Sequence, residues 1–164
     1  SIRRENYAIC LHREEGAFPI RTHVLMPGDR HPLGVGSGSL AILAALPDED
    51  VEAVISANSA VLAERYPQFT PELLRASVAE TRAAGYALNP GLLMQGSWGM
   101  GVAVRDGAGQ PVGALSIAAI ESRLGPARQA QVAALLQEEA RRLEMKLADF
   151  GRGREAKGRA ARRT

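Results

Sequence analysis

The residues best placed to do chemistry form a glycine and serine loop, Gly36-Ser37-Gly38-Ser39, that runs directly into Leu40–Leu46. The latter stretch is rich in alanine and leucine and reads as a helix. Free backbone N–H groups at a helix start, together with the dipole, favour an anion. Ser37 and Ser39 add hydroxyl donors, and a carboxylate is a fitting guest. The same four residues also read as an ordinary serine cap with glycines for a tight turn. A second group lies in two apolar segments, Ser97–Arg105 and Pro111–Ile120, joined by Asp106-Gly107-Ala108-Gly109. Strand alternation puts Ser97, Gly99, Gly101 and Ala103 on one face, and Trp98, Met100, Val102 and Val104 on the other. Ser116 and Ala118 share a face of the partner segment. One face is therefore small and polar, the other large and apolar. The small face is either the solvent side of a sheet or a concave floor kept low for a ligand, with Ser97 and Ser116 as donors.

Several chemistries are excluded by pattern. The sequence has no G-x-S-x-G nucleophile elbow, no P-loop and no H-E-x-x-H. Gly99-x-Gly101 falls inside a strand reading rather than at a strand-to-helix turn, which disfavours a dinucleotide. His12, His23 and His31 have no partner at a metal-ligand spacing, so neither metal nor cofactor is expected. Cys10 is the single cysteine. It sits in the apolar run Tyr7–Leu11 and reads as a buried structural thiol. No intramolecular disulfide is possible, which fits a reducing, cytoplasmic setting. No apolar run approaches the roughly 18–20 residues of a membrane span. The amino terminus lacks a signal-peptide core.

The elements that must position these residues follow from punctuation and periodicity. Ser1–Leu11 reads as a strand, Gly16 and Pro19 as a turn, and Ile20–Met26 as a second strand ended by Pro27-Gly28-Asp29. After Pro47, the acids Asp48, Glu49 and Asp50 complement the positive end of a helix reaching about Tyr66. Thr70-Pro71 opens another helix, and Gly85 closes it. Tyr86-Ala87-Leu88 is extended, and Asn89-Pro90-Gly91 turns the chain. Gly125-Pro126 begins the last helix, with Val132, Leu135, Leu136, Leu143, Leu147 and Phe150 as its apolar stripe. Strand pairs at both ends with helices between them define an α+β fold with a mainly antiparallel sheet.

Charge divides the chain of 164 residues. From Phe150 to Thr164 there are six basic residues and one acid, a net +5. Residues 1–149 hold 14 basic and 17 acidic residues, a net −3. An acidic body with 4% aromatic residues is a poor nucleic-acid surface. The expected division is therefore a domain over 1–149 and a basic disordered tail over 150–164. The tail reads as a solvated extension, with weak DNA contact as the alternative.

Taken in order, several landmarks resemble the effector-binding domain of IclR-type transcriptional regulators, the isocitrate lyase regulator family. They are Gly28-Asp29-Arg30-His31-Pro32-Leu33, Gly38 through Leu46, Arg82-Ala83-Ala84-Gly85-Tyr86, Gly96 through Val104, and Ala114-Leu115-Ser116-Ile117-Ala118. The resemblance implies a GAF-like curved sheet with helices on its faces. It implies a cytoplasmic repressor or activator, dimeric or tetrameric, whose DNA binding responds to a small carboxylate or aromatic acid. Carried onto this chain, the family's pocket points to Ser37, Gly38, Asn89, Ser97, Gly99, Ser116 and Ala118, with His23 and His31 near its wall. Three departures bear on the ligand. Gly34 stands where many members have histidine, Ser39-Leu40 where many have Gly-Lys, and Gly99 where a cysteine is common. They point to a roomier site and an effector other than the small keto acids. The abrupt opening in a strand leaves no room for the family's winged helix-turn-helix, so DNA is reached only through a domain outside this chain. Two other functions remain open on sequence: an enzyme on a GAF-like scaffold, and an oligomerisation module with a vestigial pocket.

Overall fold

The structure, a computed structural model, describes residues 1–16 and 25–161, with side chains to residue 151. Most of the expected strand Ile20–Met26, and His23 with it, lie outside the described residues. The opening segment is a hairpin rather than one strand. Strands β1 (Ile2–Arg4) and β2 (Tyr7–Ile9) pair antiparallel, with Arg4 opposite Tyr7. Glu5 takes the turn at φ 53°. The turn is fixed from outside: the Asn6 carbonyl accepts from Leu33 N and from Asn58 Nδ2, each at 2.9 Å. Strand β3 (Arg30–Pro32) pairs with β2, and the Arg30 guanidinium lies 3.6 Å from the Tyr7 ring centroid.

Four helices follow: α1 (Ser37–Ala44), α2 (Asp48–Ala57), α3 (Ser59–Arg65) and α4 (Pro71–Ala84). The single helix expected from Asp48 to Tyr66 is broken at Asn58, which is buried and turns its amide to Asn6. Helix α4 has the boundaries its sequence encodes. Thr70 Oγ1 accepts from Leu73 N at 3.2 Å, and Gly85 ends the helix in the left-handed region. Helix α1 is buried along its whole length, as befits a helix apolar on every side. Arg82 of α4 holds its far end, donating to the carbonyls of Ala44 at 2.8 Å and Leu46 at 2.7 Å.

Strands β4 (Ala87–Pro90), β5 (Ser97–Arg105) and β6 (Pro111–Ile120) complete a six-stranded sheet of order β3-β2-β1-β6-β5-β4, antiparallel throughout. Strand β4 runs through Asn89 and Pro90, and the chain reverses only after them. Asp106 Oδ1 closes the β5–β6 hairpin by accepting from Ala108 N and Gln110 N, both at 2.9 Å. The expected face assignment holds: Met100, Val102 and Val104 pack in one core with Leu124, Val132, Ala133, Leu136 and Ala140. A second core gathers α1 to α4 on the opposite face.

The last helix, α5, spans Pro126–Ala161. Residues 150–161, expected to be disordered, continue it. Alanine, arginine, lysine and glutamate there are good helix formers, whereas Gly151, Gly153 and Gly158 are poor ones. Of the expected apolar stripe, Val132 and Leu136 are buried, whereas Leu135, Leu147 and Phe150 are exposed. No helix among the described residues is long and apolar enough to cross a membrane.

Candidate ligand-binding cavity

The amino end of α1 lies on the small face of the sheet. Gly36 precedes the helix at φ 87°, a conformation glycine adopts without strain, and it brings no capping side chain. The first helical bond is Leu40 N to Gly36 O at 2.9 Å. The N–H groups of Ser37, Gly38 and Ser39 find no acceptor among the described residues. The helix approaches β5 so closely that side chains are excluded beneath it. A Cβ on Gly101 would sit 2.6 Å from the Ser37 carbonyl oxygen, and one on Gly99 would sit 2.7 Å from Ser37 Oγ. The low floor predicted for a ligand is therefore taken up in part by the chain's own helix.

The two serines of the loop have different fates. Ser39 turns inward and donates to the carbonyls of Val35 and Gly36. The Ser37 hydroxyl has no partner among the described residues. Register sets three more groups beside it. Asn89 on β4 stands opposite Gly99 on β5, and Gly99 stands opposite Ala118 on β6. Ser97 lies two residues before Gly99 on the same face. Ser37, Asn89 and Ser97 are 8%, 5% and 6% exposed. Asn89 Oδ1 is engaged by Leu92 N at 2.9 Å, which leaves its amino group, like the Ser37 and Ser97 hydroxyls, without a described partner. Among the described residues only His31 Nδ1 is wholly shut off from solvent without a partner, so these three donors open into one shared space where water or a ligand acceptor can meet them.

That space is a cavity of about 500 Å3, within the range of about 300–1,000 Å3 usual for small-molecule sites. Ser37, Gly38, Asn89, Ser97, Gly99, Ser116, Ala118 and His31 all line it. Ser116 and Ala118 are exposed on its open side, and Ser116 Oγ lies 3.1 Å from the point a Cβ on Gly38 would occupy. His31 forms part of the wall. Its Nδ1 is buried and unpartnered. Burial pushes the imidazole pKa down, Arg65 acts in the same direction, and Asp29 opposes them. Sequence reasoning missed Leu93, Val35 and Arg13 as lining residues, and it placed Cys10 in the core without seeing that it borders the cavity. Nothing in the type or spacing of these residues marks them; only the folded chain brings them there. No cluster of three or more metal-ligating side chains occurs among the described residues.

A curled antiparallel sheet, a buried helix aimed at its inner face and a cavity between them make this a domain of the GAF-like class. Its family is specific: the pattern of the bacterial transcriptional regulator IclR C-terminal family matches residues 1–145, and the chain belongs to that family. A probable HTH-type transcriptional regulator, ArcR of Halobacterium salinarum, is 30% identical over 142 residues, covering 85% of this chain and 54% of ArcR. The chain thus spans about half the length of that relative. The IclR structure of Thermotoga maritima superposes with a TM-score of 0.80 at 21% identity, over 89% of this chain and 59% of that one. An IclR homologue from Microbacterium hydrocarbonoxydans, solved in complex with 4-hydroxybenzoate, gives a TM-score of 0.70 at 24% identity, over 89% and 58%. These relatives are transcriptional regulators, not enzymes.

Proposed function

We propose that this domain senses a small organic acid, a carboxylate or aromatic acid, in the cavity between α1 and the sheet. Occupancy then alters DNA binding by a separate helix-turn-helix domain of a cytoplasmic regulator that works as a homodimer or homotetramer. The observation that carries the reading is that three donors without a described partner, on the nearly buried residues Ser37, Asn89 and Ser97, open into the same cavity as the free N–H groups of α1. In this reading Ser37, Gly38, Asn89 and Ser97 hold the acid group. Gly99, Ser116 and Ala118 form the floor, and His31 stands on the wall; His23 is assigned to the same wall from the family resemblance alone. Acceptance of a carboxylate by backbone N–H groups at a helix start needs no basic side chain. A relative bound to 4-hydroxybenzoate supports the ligand class. A vestigial pocket is disfavoured because the described side chains leave a cavity of about 500 Å3 unfilled.

Titration calorimetry with 4-hydroxybenzoate, benzoate and pyruvate tests the assignment. Saturable binding without consumption of the ligand is expected. Turnover of any of the three would contradict it, and so would no binding by all of them.

A further inference from the structure

One wall of the cavity has chemistry that the donor cluster does not use. His31 lies on β3 opposite Ala8 of β2, and its ring is 6.0 Å from that of Tyr66, just after α3. It lines the same cavity as Ser37 and Asn89. Its Nδ1 is shut away from solvent with no partner, and burial favours the neutral ring. The charged groups around it belong to several elements. Asp29 precedes β3, and Arg65 ends α3; they act on the imidazole in opposite directions. Arg30 of the same strand is engaged with the Tyr7 ring of β2. In the segment after β2, Arg13 pairs with Glu15 at 3.1 Å, and His12 pairs with Glu14 at 2.6 Å. Among the described residues, Cys10, the Ser1 amine and Arg123 complete the titratable lining. His12 is largely exposed, so solvent screens it from the cavity. His31 is the half-buried group there whose ordinary titration range lies closest to neutrality.

We propose that binding of an anionic ligand in this cavity is coupled to proton uptake at His31, so that the domain reads ligand and acidity together. The proposal rests on the cavity being a carboxylate site. Two unit charges about 10 Å apart at an effective dielectric of about 20–40 attract by roughly a four- to seventeenfold change in affinity; that is the ceiling for a fully protonated His31, whose pKa burial lowers, so roughly a three- to tenfold gain is expected by about pH 5.5. A carboxylate favours the charged imidazole, so the acid binds more tightly as pH falls. A neutral ligand of the same shape has no such gain.

The test is titration calorimetry of the full chain with 4-hydroxybenzoate, benzoate and pyruvate, and with the amide of the tightest binder. It is run at about pH 8 and about pH 5.5, where carboxylates remain ionised, in two buffers of different ionisation heat. The expected result is roughly three- to tenfold tighter binding of the acid at the lower pH, with proton uptake shown by the buffer difference, and no gain for the amide. His31→Gln is expected to flatten the acid's profile. The Ser1 amine lines the same cavity and is held below its ordinary value by burial, so if that variant fails to fold, NMR titration of the His31 imidazole in the unaltered chain, with and without the acid, decides. Acid binding that is equal at both pH values with no proton exchange overturns the coupling and leaves the carboxylate site standing. An equal gain for the amide overturns it too. No binding of any acid at either pH overturns the carboxylate reading itself, and the coupling with it.

Discussion

Gly101→Ala is the sharpest probe of how α1 is seated. The new Cβ would lie 2.6 Å from the Ser37 carbonyl oxygen, 2.8 Å from its carbon and 3.1 Å from Gly38 Cα. All three are backbone atoms, so no side chain can swing aside. Restoring an ordinary contact of 3.4 Å requires helix and strand to part by about 0.8 Å. The far end of α1 is held by Arg82, so the helix tilts at its ligand end. Overpacking of this kind costs about 1–3 kcal/mol, and a chain of this length loses about 2–4 °C in Tm per kcal/mol, for a fall of about 2–12 °C. The tilt also draws the Ser37 and Gly38 N–H groups away from a bound acid. Weakening one charge-assisted hydrogen bond by about 1.4 kcal/mol raises Kd about tenfold. Scanning calorimetry and ligand titration measure the two effects together. Gly107→Ala is the control, because its nearest neighbour is Ala148 Cβ at 4.0 Å. A Gly101→Ala chain with the melting temperature and affinity of the parent would show that α1 does not rest on β5 as described.

Four further outcomes are expected. Ser116→Leu fills the open side of the cavity and abolishes acid binding, while circular dichroism and Tm remain near those of the parent because the position is exposed. Arg82→Ala strips the donors from the Ala44 and Leu46 carbonyls and lowers stability in urea by about 1–3 kcal/mol; lysine recovers only part of this, lacking the fork geometry. Without ligand, His31 makes the fold acid-sensitive. Its folded pKa is depressed by burial, so the unfolded chain binds more protons below its own pKa of about 6.5, and stability falls as pH drops from there toward the folded value. Tm measured against pH in His31→Gln should show a shallower acid slope. Removing residues 151–164 leaves acid affinity unchanged, since every described lining residue lies between Ser1 and Arg123; a shift in Kd by calorimetry would show that the end of α5 reaches the site.

What was legible in the sequence was local. Thr70-Pro71 and Gly85 bound α4 because caps and stops act within a few residues. The Asp106 turn and the alternation from Ser97 to Ile120 assign faces correctly for the same reason. The failures trace to distant partners. Glu5-Asn6 carries no strong turn signal, and its conformation is held by Leu33 and Asn58. The break at Asn58 is the other half of that contact. Strand β3 is three residues ending in proline, too short for periodicity to reveal, and it exists because β2 offers an edge. In the site, Ser37 and Ser39 are equivalent by sequence. Only rotation about the helix sends one hydroxyl to the Val35 and Gly36 carbonyls and leaves the other facing the cavity. A resemblance carried residue by residue named eight residues that line the cavity, but it did not reveal that Gly99 and Ser37 compete for one side-chain space.

The position of β1 between β2 and β6 has a consequence during synthesis. Ser1 and Ala114 are bonded across 113 positions of chain. At about 5–20 residues per second the β1–β2 hairpin waits several seconds or more for its neighbour to leave the ribosome. Over that interval its edge is unpaired, and three-residue strands carrying Arg3 and Arg4 make a poor template for association with other chains. The floor of the cavity is made of the same late strands, β5 and β6. A nascent chain therefore has no receptor for its ligand until the sheet is nearly finished, and the ligand can reward only completed molecules.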